Sequence, residues 1–259
     1  MLKSNRSANL RGGGHPNLSS PVKFSNAFTL AEVLITLGVI GIVAALTIPN
    51  VTSLYRKNIA ETRLAKFYSV MNQAIQRSEV DNGPKEYWAS MASGHGDESD
   101  EAVASGTKIM PEDWYNKYLK PYIQSTNVKI NDKTNKVMVY FSDGGLCLIG
   151  GASFQFWPQG SDFENYGEDD SGNPTNNYEL SGIKYFTFFF APADNSSSNR
   201  YHFKKGVEPY KLNWDGQRTT LLNNSSIGCR ENVSNERAFC TALIQMNGWK
   251  VPDDYPVKF

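Results

Sequence analysis

The sequence predicts an α+β fold: a long N-terminal helix packed on an antiparallel β-sheet, with a short helix near the C-terminus. Three observations predict it. Residues 28–48 read FTLAEVLITLGVIGIVAALTI, an apolar run carrying one charge, Glu32. After Pro49, apolar residues recur three or four apart to about Ser78, which is the helical period. Beyond residue 136, short β-rich segments alternate with turn residues.

The elements follow in order. The head, residues 1–27, carries Lys3, Arg6, Arg11 and Lys23 and no acid, whereas the whole chain balances 26 basic against 26 acidic residues. A basic head is thus joined to a mildly acidic body, and nothing in that body suggests nucleic-acid binding, which needs a basic excess. The apolar run 28–48 is long enough as a helix to span roughly 30 Å, the thickness of the bilayer core. A run apolar on every face needs lipid or protein all round it, so a membrane span is the expected reading. Positive charge on its N-terminal flank places the head in the cytoplasm and the body outside.

Glu32 is the informative exception. A carboxylate in the membrane costs about 2.5–3.5 kcal/mol on insertion scales and persists mainly where a partner compensates it. A cut between Ala27 and Phe28 would create an amino group one helical turn away, and the ammonium of a neighbouring copy shifted along the axis could neutralise Glu32. Gly38 and Gly41 are small enough to let helices approach closely. Pro49 lacks a backbone donor and is expected to bend or locally melt the helix. The amphipathic stretch 49–79 then offers Val51, Leu54, Tyr55, Ile59, Leu64, Phe67, Met71, Ala74 and Ile75 to the body, with Asp81, Asn82, Gly83 and Pro84 as the stop.

In the body, residues 80–259, the Gly/Ser/acid-rich stretch within 85–108 reads as a surface loop. Residues 111–124 read as a short helix broken at Pro121, with Trp114, Tyr118 and Ile123 on one side. Residues 136–142, 146–150 and 152–157 read as strands, the first two joined by a tight turn at Asp143, Gly144 and Gly145. The β pattern continues through 184–192, 200–203 and 209–214. Residues 235–248 read as a final helix with Phe239, Leu243 and Met246 inward, closed by Gly248. The tail is expected to be extended by its two prolines.

Residues Ala27, Phe28, Thr29, Leu30, Glu32, Gly38, Gly41 and Pro49 together resemble the prepilin leader and N-terminal helix of type IV pilins and type II secretion pseudopilins. The resemblance covers about residues 24–79 and implies a pilin-like fold. It also implies a prepilin peptidase that cuts before Phe28 and methylates the new amine, and Glu32 guiding assembly. Where the family prefers Gly before the cut, this chain has Ala27. The implied partners are other pilin or pseudopilin subunits, an inner-membrane assembly platform and the lipid bilayer. The implied location is the bacterial inner membrane, single-pass, followed by the pilus or pseudopilus. A membrane-anchored binding or enzymatic domain that uses its helix only as a tether is the competing reading.

Of the three cysteines, Cys229 and Cys240 enclose only ten residues and form the best pair, in keeping with the bridge that often closes the family's C-terminal loop. Cys147, inside a strand, reads as a buried free thiol. No C-x-x-C is present, and beyond the head only His95 and His202 remain, so no zinc site is expected. The acids Asp162, Glu164, Glu168, Asp169 and Asp170 are calcium-type oxygen ligands without the spacing of an EF-hand, and no metal is assigned to them. Common catalytic motifs are missing, and no enzyme activity or cofactor is expected.

Overall fold

The computed structural model describes residues 28–92, 103–106, 108–131, 135–164 and 178–259. Helix α1, Leu30–Asn82, is one continuous run with Pro49 inside it. The local melting expected at Pro49 does not occur. The two flanking threonines instead turn their hydroxyls onto the backbone, Thr47 Oγ1 to Val43 O at 2.9 Å and Thr52 Oγ1 to Pro49 O at 2.9 Å. The helix also outlasts the expected end at Ser78, because Asp81 and Asn82 remain helical. Gly83, at φ 74°, then takes the left-handed conformation that ends it.

The chain divides into two compact units at the boundary between Thr47 and Ile48. The first contributes residues 28–47 to the described structure, all of them helix from Leu30 on. Its side chains are exposed on every face, among them Leu34, Ile35, Val39, Ile40 and Ile42.

The second unit holds the sheet. Strands β3 Asn127–Ile130, β4 Val137–Tyr140, β5 Leu146–Gly150, β6 Ser153–Trp157, β7 Phe186–Phe189 and β8 Glu208–Pro209 form six antiparallel neighbours in sequence order. Gly144, at φ 82°, makes the turn between β4 and β5, and the Asp143 carboxylate accepts from Gly145 N–H at 3.0 Å. One face of the sheet presents Val137, Val139, Cys147, Ile149, Phe154, Phe156, Phe186 and Phe188, in strict alternation along the strands. These pack with Ala60, Leu64, Phe67, Met71, Ala74 and Ile75 of α1 in one core. Phe67 is its centre, stacked on Phe156 at 4.2 Å and tilted on Phe188 at 4.9 Å. The other face buries Met138, Leu146, Leu148 and Trp157 with Phe163 and Tyr185. An antiparallel sheet on the C-terminal half of the helix is therefore present.

Several finer expectations are corrected. Val51, Leu54 and Tyr55 are exposed, so packing against the body begins at Ala60 rather than just after Pro49. The stretch 85–108 is not only loop: β1 Ser90–Met91 pairs in parallel with β2 Lys108–Ile109, and Trp88 and Ala92 are buried. Helix α2, Pro111–Tyr118, ends before Pro121 and buries Trp114, Tyr115 and Tyr118. A short helix α3, Ser161–Glu164, follows β6.

Residues 200–203 are turn, with His202 and Phe203 N–H both donating to Asn199 O. Of 209–214 only Pro209 belongs to a strand, because Asn213 sits at φ 52°, which no strand allows. Helix α4, Arg218–Asn223, has no counterpart in the sequence reading. Helix α5 spans only Phe239–Met246, and Met246 is 51% exposed rather than inward. Gly248 closes it as expected: its N–H reaches Gln245 O, and Trp249 N–H reaches Ile244 O at 2.9 Å. The tail is not extended. It turns at Pro252, buries Val251 and Val257, and is tied to α1 where the Glu61 carboxylate accepts from Val251 N–H at 3.0 Å and Lys250 Nζ at 2.8 Å.

Candidate functional site

The site singled out by the sequence is the start of α1. Ala27 and the rest of residues 1–27 lie outside the described residues, and Phe28 is 85% exposed. Thr29 stands as the N-cap, and Glu32 occupies the third helical position. The Thr29 N–H and hydroxyl both donate to Glu32 Oε2 at 2.8 Å, while Glu32 N–H donates back to Thr29 Oγ1 at 3.2 Å. This is a capping box: two amides that a helix N-terminus would otherwise leave orphaned are satisfied reciprocally. Sequence reasoning assigned Glu32 only an intermolecular partner and missed this one, although T-x-x-E at 29–32 is its signature.

The polar groups farther along are also kept inside the helix. Thr36 Oγ1 donates to Val33 O at 3.0 Å, so its hydroxyl needs neither water nor a neighbour. That internal accounting is what a bilayer demands of a segment crossing it. A Cβ placed on Gly38 or Gly41 would meet nothing within 4 Å, so neither glycine is needed for packing among the described residues. Helix α1 is long and apolar enough to span a membrane, and none of its most apolar window is buried by the chain itself.

The cysteines behave as read. Cys229 and Cys240 are disulfide-bonded, and Cys147 is a fully buried free thiol whose pKa burial pushes well up, which leaves it unreactive. The bridge lies beside Arg237, whose buried guanidinium donates to the carbonyls of Arg230, Glu231, Tyr178 and Glu179 and so closes the loop 230–236 from within. Of the acidic segment considered for calcium, Asp162 faces Lys184 Nζ at 3.6 Å, while Glu168, Asp169 and Asp170 lie outside the described residues. No cluster of three His, Cys, Asp or Glu occurs among the described residues.

A second polar cluster was not legible in the sequence. Glu208, at the sheet edge, accepts from Tyr68 Oη at 2.9 Å, and at 3.3 Å from Tyr201 Oη and Gln245 Nε2. Burial and the Glu208 charge push the Tyr68 phenol up to about 12. His202 is wholly buried. Its Nε2 accepts from Lys211 N–H at 3.1 Å, and burial, aided by Lys205 and Lys211, pulls its pKa down to about 4. Tyr201, His202 and Lys211 fall in segments whose β-like composition concealed turns, while Tyr68 and Gln245 are brought to them from two helices.

The chain belongs to the family of unknown function DUF6613, which it matches over residues 51–259. The match begins within a few residues of the boundary between the two units, so it covers the body and not the apolar segment. No curated protein and no solved structure matches the chain.

Proposed function

We propose that the chain is a prepilin-like structural subunit, cut between Ala27 and Phe28 by a prepilin peptidase and assembled through its N-terminal helix into a type IV pilus or type II secretion pseudopilus. One observation carries the reading: an apolar helix exposed on every face, with a single carboxylate one turn from its start. None of the described residues covers that surface, and its burial comes from outside, first from the inner-membrane bilayer and then from sister helices. Gly38 and Gly41 permit close approach between helices, and the Phe28 amine of an adjacent subunit sets the register on Glu32. The head stays cytoplasmic and the body extracytoplasmic. An assembly platform in the inner membrane extracts the subunits.

The capping box changes the mutation that tests this. Glu32→Ala would lose both the charge and a helix cap worth about 1 kcal/mol, so the two causes would be confounded. Glu32→Gln keeps the cap, because an amide oxygen accepts from Thr29 as well, and removes only the charge. The charge register predicts normal membrane insertion of Glu32→Gln with loss of filament incorporation, and normal assembly of that variant would defeat it. Mass spectrometry of the mature N-terminus supplies the second arm: a methylated Phe28 supports the filament.

One observation favours the tether reading. Glu32 already has two donors from its own Thr29, so an unassembled helix can hold the carboxylate without a sister molecule. An intact residue 1–27 segment in protein from the native host, together with indifference to Glu32→Gln, is what the tether expects.

A further inference from the structure

A groove of about 500 Å³ opens on the second unit beside the Glu208 cluster, lined among others by Ser198, Arg200, Tyr201, Lys211, Asn213 and Trp214. Its walls are aromatic: the Tyr201 and Trp214 rings meet edge to face at 5.4 Å. Trp214 Nε1 donates to Gln217 O at 3.0 Å, which locks the indole.

Lys211 is 5% exposed and borders the groove. Its ammonium donates to Tyr201 Oη at 2.8 Å and Gln245 Oε1 at 2.7 Å, and lies 4.3 Å and 4.7 Å from the Tyr201 and Trp214 ring centroids. Both of its acceptors are neutral. Glu208, the nearest acid in the sequence, spends its oxygens on Tyr68, Tyr201 and Gln245 and makes no ion pair with Lys211. Burial, reinforced by the Lys205 charge and opposed by Glu208, draws the Lys211 pKa down to about 8. Glu208 thus offsets the ammonium only indirectly, through Tyr201 and Gln245, and an incoming anion would add a directly bonded counter-charge.

Two further cations lie close by. Arg200 is exposed and has no hydrogen bond or ion pair among the described residues, and Lys205 Nζ lies 3.3 Å from the Tyr201 centroid. Between residues 200 and 215 the acids are Glu208, itself buried, and Asp215, whose carboxylate accepts from Gln217 N–H at 2.9 Å and the Thr220 hydroxyl at 2.7 Å. In a body that is net acidic, this is a concentrated cationic site around two rings. Single-stranded nucleic acid would require a track of cations following several phosphates, which a single spot does not provide. A bare inorganic anion would leave the aromatic walls unused. The hydroxyl of Ser198 and the amide of Asn213 both donate and accept, as a ring bearing several hydroxyls requires.

We propose that this groove binds a carboxylated sugar, its pyranose face against Trp214, its carboxylate between Lys211 and Arg200, and its hydroxyls on Ser198 and Asn213. The proposal is independent of how the N-terminal helix is used.

The test titrates the full chain in detergent micelles with tri-galacturonate, read by calorimetry and tryptophan fluorescence. Saturable binding is expected, with maltotriose, the neutral control, at least about tenfold weaker. Arg200→Glu, an exposed change that leaves the fold alone, should weaken binding about tenfold or more with an unchanged melting temperature. Trp214→Phe should keep the fold while losing part of the fluorescence response and of the affinity. Three results would each overturn the proposal: no binding up to about 10 mM, equal binding of maltotriose, or indifference to Arg200→Glu. Displacement of the trisaccharide by equimolar inorganic phosphate would reassign the groove to simple anions. Tighter binding of an oligothymidylate would reassign it to nucleic acid, and either result also overturns the sugar.

Discussion

Residues 30–47 and the stretch from Ala60 to Ser78 belong to one helix, yet their side chains meet opposite fates. In the first, leucines, isoleucines and valines stand exposed all round. In the second, Ala60, Leu64, Phe67, Met71 and Ala74, spaced alternately four and three apart, and Ile75 beside them, are buried in one cluster with the sheet. The difference teaches that the second half of the helix is covered by the body's own core, whereas the first half leaves an apolar surface for another environment. The two carboxylates Glu32 and Glu61 repeat the contrast. Glu32 is held by its own turn, whereas Glu61 reaches across to the chain tail.

The largest effect should come from separating the two regions. A chain starting at residue 51 should keep a cooperatively folded body and lose all membrane association, as read by circular dichroism and vesicle flotation. If the body instead failed to fold, the apolar segment would be part of its core and the contrast would be broken.

Phe67→Ala strikes the other side of the comparison. It empties the space between Phe156 and Phe188 and should cost about 3–5 kcal/mol in chemical denaturation while leaving membrane association unchanged. A matching change in the exposed half, Ile40→Ala, should leave that denaturation curve where it was.

Opening the bridge by Cys229→Ser and Cys240→Ser should lower stability by about 3 kcal/mol on chain-entropy grounds for so short a loop. The readout is the denaturation midpoint with and without reductant. Wild type in reductant should fall onto the variant's curve.

The smallest effect concerns Glu236, which accepts from the Thr187 hydroxyl and makes no ion pair among the described residues. Burial pushes its pKa up to about 7, opposed by a hydrogen bond from Gln155. The folded state therefore holds a proton that the unfolded chain releases near its ordinary value of 4.5. Stability falls as pH rises from 4.5 through 7, and below 4.5 the group contributes no pH dependence. Glu236→Gln should raise stability at pH 7.5 by about 1–2 kcal/mol and remove that slope. It should also unmask the opposite slope of His202, whose neutral folded form loses stability as pH falls from 6.5 towards 4.

Legibility in the sequence followed locality. The apolar helix, the Gly144 turn, the Gly248 cap, strands β4 to β7 and the 229–240 pairing all rest on residues close along the chain. The groove was illegible because its residues come from turns that β-like composition disguised, RYHF at 200–203 and PYKLNW at 209–214. Lys211, read only as part of a β-like segment, is buried by contacts with Tyr201, which lies in a turn, and Gln245, which lies far from it in the chain.

The sequence by itself determined where the long helix and strands β4 to β7 run and that residues 28–48 are too apolar for water, because periodicity and turn chemistry act between near neighbours. Only the tertiary structure decided which apolar surfaces are covered. Val51, Leu54, Tyr55 and Met246 stay exposed while the tail residues Val251 and Val257 are buried. The physical reason is that burial depends on what the rest of the chain brings into contact, and that contact is made across the whole fold rather than along it.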